Sequence, residues 1–336
     1  MTLFILNFLL AIIITYLVIY ISHKFKIYDY PNDRKLHKYP IPRIGGLGFI
    51  IPIIISTIIL TDIFEKWTLF TVATIIIIIE GLLDDIINLH FSQKLIFEFF
   101  CASFIFLSGY GVKTLGFNTT LHPAIAFVIT IVGFVGVINA FNMLDGLDGE
   151  LTILSIIIFL TFGYFFYITS NVKIFEFSIC IISALVGFLI FNFPNAKVFM
   201  GDVGALTLGF FAASFAVFLT QGEKSSIYPI VPVIILSIPI FDTILTIIRR
   251  ILSKKNIFHS DKKHLHHILY RRFGKLKTVI IMAILQIAIS LISILTYKLE
   301  EIYLWFIALV IFIIIGILGY EKSYNLRLWG GRKANS

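Results

Sequence analysis

Residues 121–149 read LHPAIAFVITIVGFVGVINAFNMLDGLDG. The first part, 121–138, contains no Asp, Glu, Lys or Arg and approaches the ~20 apolar residues that a helix needs to cross a bilayer. The remainder carries Asn139, Asn142, Asp145 and Asp148 at a spacing of three, so that consecutive members are neighbours on a helix face. A run of bilayer length that ends abruptly in amides, acids and glycines describes a helix leaving a membrane into a chemically equipped loop.

The pattern repeats along all 336 residues, of which 59% are hydrophobic and 14% charged. No soluble domain has that balance. Apolar runs fall at about 2–22, 44–61, 67–83, 95–110, 121–138, 150–169, 174–191, 204–220, 228–248, 278–297 and 302–320. They predict one all-α integral membrane domain over 1–336, a polytopic protein with eleven transmembrane helices. The first run lacks the basic flank and cleavage site of a secretion signal. It reads as a retained anchor with its N-terminus outside, which leaves the C-terminus cytoplasmic.

Charge tests the count. With eleven alternating spans, the inner segments hold all of the 27 lysines and arginines except Lys66, Lys113, Lys173, Lys224 and Lys298, in line with the positive-inside rule. The same alternation gathers five polar loops, 23–43, 84–94, 139–149, 192–204 and 249–277, on the inner side. One missed or extra span would scatter them. A transporter would instead distribute polar groups and broken helices through the bilayer. Polar groups stacked at one water–lipid boundary suit an enzyme that joins a lipid to a soluble, charged substrate. The net charge of +8 then describes a face that attracts anionic lipid and anionic substrates. The basic residues flank spans without a recognition module, which argues against nucleic acid. Cys101 and Cys180 lie in apolar runs and read as buried thiols.

Five aspartates, Asp84, Asp85, Asp145, Asp148 and Asp202, come from three separate inner loops flanked by glycines. An aspartate in a lipid-embedded helix centre costs about 2.5–3.5 kcal/mol, and mutual repulsion adds to that. Solvated helix ends are one reading. A hard cation is the other: magnesium takes oxygen ligands, keeps several waters, and binds one or two carboxylates plus substrate phosphates. Asn142 can lend it a neutral oxygen. His264, His266 and His267 invite a zinc reading, without an accompanying Cys or an HExxH motif. A solvated basic loop is a second reading, and the favoured one is that, with Lys94 and Arg250, they hydrogen-bond phosphate or sugar oxygens.

Taken together, Pro31–Gly46, Asp84-Asp85, Asn139–Gly149, Asn192–Gly204, Pro239-Ile-Phe-Asp242-Thr and His264-Leu-His-His267 resemble the polyprenyl-phosphate N-acetylhexosamine-1-phosphate transferase family (glycosyltransferase family 4) through almost the whole chain. The His-x-His-His spacing is similar to the WecA/TagO-like branch; the related MraY branch, the phospho-MurNAc-pentapeptide transferases, typically has three adjacent histidines, and Leu265 interrupts such a run. The resemblance implies transfer of an N-acetylhexosamine 1-phosphate, with N-acetylglucosamine the default sugar, from a UDP-N-acetylhexosamine to undecaprenyl phosphate. It implies a bacterial inner membrane location with the active site facing the cytoplasm, and it admits a homodimer. It also implies Mg2+, with Mn2+ as substitute, on Asp202 and Asn142. Asp84, Asp85 and Asp145 are the implied catalytic acids. Lys94, Asn139, Asp148, Asn192, Arg250, His264, His266 and His267 form the implied substrate-binding set.

Overall fold

The computed structural model is helical wherever the sequence runs apolar, because no water is available there to satisfy backbone N–H and C=O groups. It describes residues 2–31, 39–60, 67–117, 119–222, 227–254 and 264–320. The helices are α1 (Thr2–Phe25), α2 (Leu47–Leu60), α3 (Thr68–Ile87), α4 (Phe91–Ile105, continued by a π-helical turn Phe106–Tyr110), α5 (Pro123–Leu144), α6 (Glu150–Ile168), α7 (Val172–Asn192), α8 (Gly201–Thr220), α9 (Ile230–Ile235), α10 (Ser237–Leu252), α11 (Leu265–Phe273), α12 (Lys275–Thr296) and α13 (Glu301–Leu318). Tyr28–Asp29 (β1) and Ile41–Pro42 (β2) pair as a short antiparallel ribbon, a small departure from an all-α fold.

Helix is present at each of the eleven expected runs. Eight helices are long and apolar enough to cross a membrane: α1, α4 with its π turn, α5, α6, α7, α8, α12 and α13. The other three runs differ for physical reasons. α2 has only 14 residues. α3 carries Glu80, Asp84 and Asp85. The ninth run is broken into α9 and α10 at Leu236. Pro239 causes the break, since it has no N–H for the Ile235 carbonyl and its ring clashes there. The carbonyl is not orphaned: Gln286 Nε2 on α12 donates to it at 3.0 Å.

Loop boundaries also move. α3 runs through Asp84 and Asp85 and stops at Asn88, which adopts a left-handed conformation. α4 starts at Phe91 under a capping box: His90 accepts from the Ser92 N–H, and Gln93 accepts from the His90 N–H. The expected loop 84–94 therefore contracts to residues 88–90. α5 likewise runs to Leu144, so Asn139 and Asn142 are helical.

α8 is the axis of the molecule. Nearly every residue of it is buried, and α3, α5 and α6 pack around it. Phe210 stacks on Phe70 of α3 with ring centroids 5.7 Å apart, and Phe215 meets Phe159, Phe162 and Phe166 of α6 edge-on. Such offset and edge contacts contribute beyond simple burial. Asn7 ties α1 to its neighbours, donating to the Cys180 carbonyl and to Ser183 on α7 and accepting from Ser56 on α2. Cys101 and Cys180 are buried free thiols.

Candidate active site

The first turn of α8 is held in place before any chemistry is considered. The Phe199 N–H donates to the Pro42 carbonyl at 2.9 Å, the Gly45 N–H to the Phe199 carbonyl at 3.0 Å, and the Gly46 N–H to the Met200 carbonyl at 2.7 Å. The first polar loop is thus zipped to the segment that enters α8. Gly201 has φ +71°, and a Cβ there would sit 2.1 Å from the Arg43 carbonyl oxygen and 2.6 Å from Asp85 Oδ2. Only glycine fits this junction.

Four charged groups surround Asp202. Asp85, in the last turn of α3, accepts from the Asp202 N–H at 2.9 Å and the Val203 N–H at 3.0 Å. It therefore satisfies two N-terminal donors of α8 that have no partner within the helix. Arg43 reaches Asp85 Oδ1 through Nε at 2.9 Å, Asp202 Oδ2 through Nη2 at 2.7 Å, and Asn88 Oδ1 through Nη1 at 3.0 Å. Lys94 pairs with Asp84 Oδ2 and lies 3.6 Å from Asp202 Oδ1. Asp84 Oδ1 accepts from the Leu89 N–H at 2.7 Å. Three carboxylates and two cations form one alternating cluster.

A cavity of ≈ 760 Å³ opens over this cluster, and each of the five polar loops contributes to its wall: Arg43, Asn88, Asp145, Asp202 and His267 represent them in order. Asp145 lines that wall and is exposed in it. Loss of hydration, then the charges of Asp202 and Asp148, push its carboxyl up to about 7. Asp148 accepts from the Ala196 N–H at 3.0 Å and from Lys275 Nζ at 2.7 Å, and Lys275 also reaches Asn195 at 3.2 Å. Asn192 braces the same segment, donating to the Val198 carbonyl at 3.0 Å and accepting from Thr152 at 2.8 Å.

The histidine motif is split by geometry. His264 sits just ahead of α11 in extended conformation, so it shares no helical face with His267. Its Nδ1 pairs with Asp242 Oδ2 at 2.8 Å, and the Leu265 N–H donates to Asp242 Oδ1 at 2.8 Å. Asp242 therefore orients the first histidine and caps α11 together. His266 is fully buried, its Nε2 2.2 Å from where a Cβ on Gly146 would be. Burial, then His267 and His264, hold its pKa well below the ordinary range. His267 reaches the cavity wall.

Of the residues expected from sequence, Asp84, Asp85, Lys94 and Asp202 form the cluster, and Asn142, Asp145, Asp148, Asn192 and His267 share the cavity with Asp202. Four are placed elsewhere: His264 is held on Asp242 and His266 is buried against Gly146, and neither lines the cavity, nor do Asn139 and Arg250. Asn139 donates to both carboxylate oxygens of Glu98 at 2.8 Å, between α5 and α4. Arg250 is buried on α10 and does not line the cavity. Sequence reasoning assigned no role to Arg43, Asp242 or Lys275. The signals were an arginine between Pro42 and Gly45-Gly46, an otherwise unexplained acid after Pro239, and one more base in a basic loop.

Among the described residues, no group of three or more His, Cys, Asp or Glu is arranged to enclose a metal ion. Asp202, Asn142 and Asp145 nevertheless line one cavity, and all three side chains carry oxygen donors. Magnesium needs only one or two protein carboxylates when phosphates supply the rest, so the donor set fits it. The mutual repulsion recorded at Asp145 is of the kind a bound cation relieves.

Residues 67–220 match the family described as Glycosyl transferase family 4. The chain is 34% identical over 319 residues to a "Probable undecaprenyl-phosphate N-acetylglucosaminyl 1-phosphate transferase" of Bacillus subtilis, covering 93% of this chain and 88% of that protein. It is 28% identical to an "Undecaprenyl-phosphate alpha-N-acetylglucosaminyl 1-phosphate transferase" of Thermotoga maritima, covering 91% and 94%. A "Decaprenyl-phosphate N-acetylglucosaminephosphotransferase" of Mycobacterium leprae is 27% identical, covering 84% and 80%. The three names share the sugar; two give undecaprenyl phosphate as the lipid carrier and one decaprenyl phosphate.

Proposed function

Because this chain belongs to glycosyl transferase family 4, we propose that it transfers N-acetylglucosamine 1-phosphate from UDP-N-acetylglucosamine to undecaprenyl phosphate, giving undecaprenyl-diphosphate-N-acetylglucosamine and UMP. The observation that carries this reading is the convergence of five distant loops on one cavity lined by Arg43 and Asp202, with Lys94 and Asp84 paired behind them. Two anionic substrates, one soluble and one lipid, require such a mixed-charge site at a membrane boundary. The names of the relatives support the sugar and the carrier.

In this reaction an oxygen of the lipid phosphate attacks the phosphorus that bears the sugar. The bond from that phosphorus to the bridging oxygen breaks, and the electron pair leaves on UMP. The lipid phosphate is already an anion at neutral pH, so bringing two phosphates together is harder than deprotonation. Positioning alone can contribute roughly 7–11 kcal/mol. Arg43 and Lys94, beside Asp202, and Lys275, beside Asp148, are the cations that offset phosphate repulsion. Asp202 and Asn142 would hold Mg2+, or Mn2+ in its place, and the ion would neutralise diphosphate charge when bound. Asp145 is the acid that lines the cavity beside Asp202, and Asp84, buried behind it, acts through Lys94. Asp85 acts through α8, since its carboxylate is committed to two backbone amides and Arg43. His267, with His264 and His266 behind it, contributes to nucleotide or sugar binding.

The reading includes eleven crossings, an external N-terminus and a site on the cytoplasmic face of the inner membrane, supported by the lysine and arginine distribution. UMP release by purified protein in detergent, with and without undecaprenyl phosphate and Mg2+, tests the reaction. Release that needs both is the expected result. A UDP-sugar panel with no release from folded protein would overturn it.

A further inference from the structure

We propose that Arg43 is a further positioning residue of this site: one guanidinium locks the acid that caps α8 to the acid presented to the cavity, and offers its remaining N–H groups to a phosphate oxygen. The inference rests on the transferase reading above.

The backbone on either side of Arg43 is fixed, since Pro42 and Gly45 both bond to Phe199. From that anchor the side chain spans three partners, Asp85, Asn88 and Asp202, through three different nitrogens. A guanidinium has five N–H groups in a rigid fork, and these bonds engage three. The side chain is 23% exposed and lies in the cavity wall, so the others have a route to a ligand. Asp202 is flanked on both oxygens, by Arg43 at Oδ2 and by Lys94 at Oδ1. Its orientation is therefore set jointly by the α8 backbone, by Lys94 and by Arg43, and of these two side chains Arg43 is the one bonded to Asp85 as well. Lysine cannot replace it, because a single ammonium has no planar fork to hold three acceptors in place.

The charge argument yields a signature that a scaffolding role does not. A cation next to Asp202 repels a divalent metal ion and attracts an anion. Removing it strengthens metal binding and weakens nucleotide-sugar binding, two changes of opposite sign. Loss of fold would weaken both.

The test uses full-length protein in detergent. Mn2+ binding is measured by electron paramagnetic resonance without substrate, kcat and KM by UMP release from UDP-N-acetylglucosamine, and folding by thermal unfolding. Arg43→Gln is expected to bind Mn2+ several-fold tighter while KM rises about tenfold or more. Arg43→Lys keeps the charge, so its Mn2+ affinity stays near that of the unsubstituted protein while kcat falls. Unchanged Mn2+ affinity and KM in folded Arg43→Gln would overturn the inference, as would full activity in Arg43→Lys. Should Arg43→Gln not fold, the kcat of Arg43→Lys decides. Failure of the unsubstituted protein to release UMP would overturn the transferase reading, and the Mn2+ comparison would still judge Arg43.

Discussion

The carboxylate of Asp85 accepts hydrogen bonds from the backbone N–H groups of Asp202 and Val203, so the last turn of α3 caps the first turn of α8. The side chain of Asp85 has no exposed surface, whereas that of Asp202 keeps 14%. Two acids separated by 117 positions are thereby given different work: one holds the helix, the other faces the cavity.

Substitution separates the two roles. Hydrogen bonds to charged groups contribute about 1.5–3 kcal/mol each, so Asp85→Ala is expected to lower thermal stability strongly and take activity with it. Asp202→Asn keeps the fold and lowers kcat by about a hundredfold or more. Thermal unfolding paired with UMP release distinguishes them; equal stability losses for the two variants would contradict the assignment.

Gly146 and His266 touch so closely that a Cβ at 146 would lie 2.2 Å from His266 Nε2. Gly146→Ala is expected to destabilise by about 1–3 kcal/mol through overpacking. Adding His266→Ala removes the obstructing ring, so the double variant loses less stability than the two single losses combined, with a coupling of about 1 kcal/mol or more. Additive losses in thermal or denaturant unfolding would show that the contact is not strained by the added methyl.

Asp145 gives a pH dependence of definite sign. Its folded-state pKa, about 7, lies above the ordinary carboxylate range. The folded state therefore binds the proton more tightly, and the stability this contributes is present below about pH 4 and lost as pH rises through 7. Metal-free Asp145→Asn should gain stability relative to the unsubstituted protein between pH 5 and 8. Parallel stability profiles for the two proteins would refute the shift.

Asp242 joins His264 to the α11 backbone. Asp242→Asn keeps an acceptor for one donor and loses the charge, so it is expected to raise KM for the UDP-sugar more than it lowers kcat. Asp242→Ala adds a loss of stability of about 1–3 kcal/mol from the uncapped helix. A variant whose kcat falls while KM is unchanged would place the motif in chemistry rather than binding.

Much of this was legible in the chain. Apolar runs of bilayer length are helices because the backbone has no other partner in lipid, and each expected run contains helix. The lysine and arginine distribution put five loops on one side, and those loops line one cavity. Asp84, Asp202, Lys94 and Asp145 stood out in the chain because acids and bases beside hydrocarbon demand an explanation, and the structure brings Asp84, Lys94 and Asp202 together. Helix ends were less legible. Asp84, Asp85, Asn139 and Asn142 read as loop, yet α3 and α5 extend through them, since buried partners such as Lys94 and Glu98 offset the placement of polar groups in helix.

The sequence by itself determined that this is a multi-pass helical membrane protein and which family it belongs to, because composition and motif order are properties of a line of residues. Only the tertiary structure decided how those residues divide their tasks. Adjacent Asp84 and Asp85 are equivalent as letters, but one pairs with Lys94 and the other with the end of α8. Arg43 became part of the site only when Phe199 and Gly201 were brought against it. Partner choice at this range depends on distances of a few ångströms between segments far apart in the chain, and that information exists only once the helices have packed.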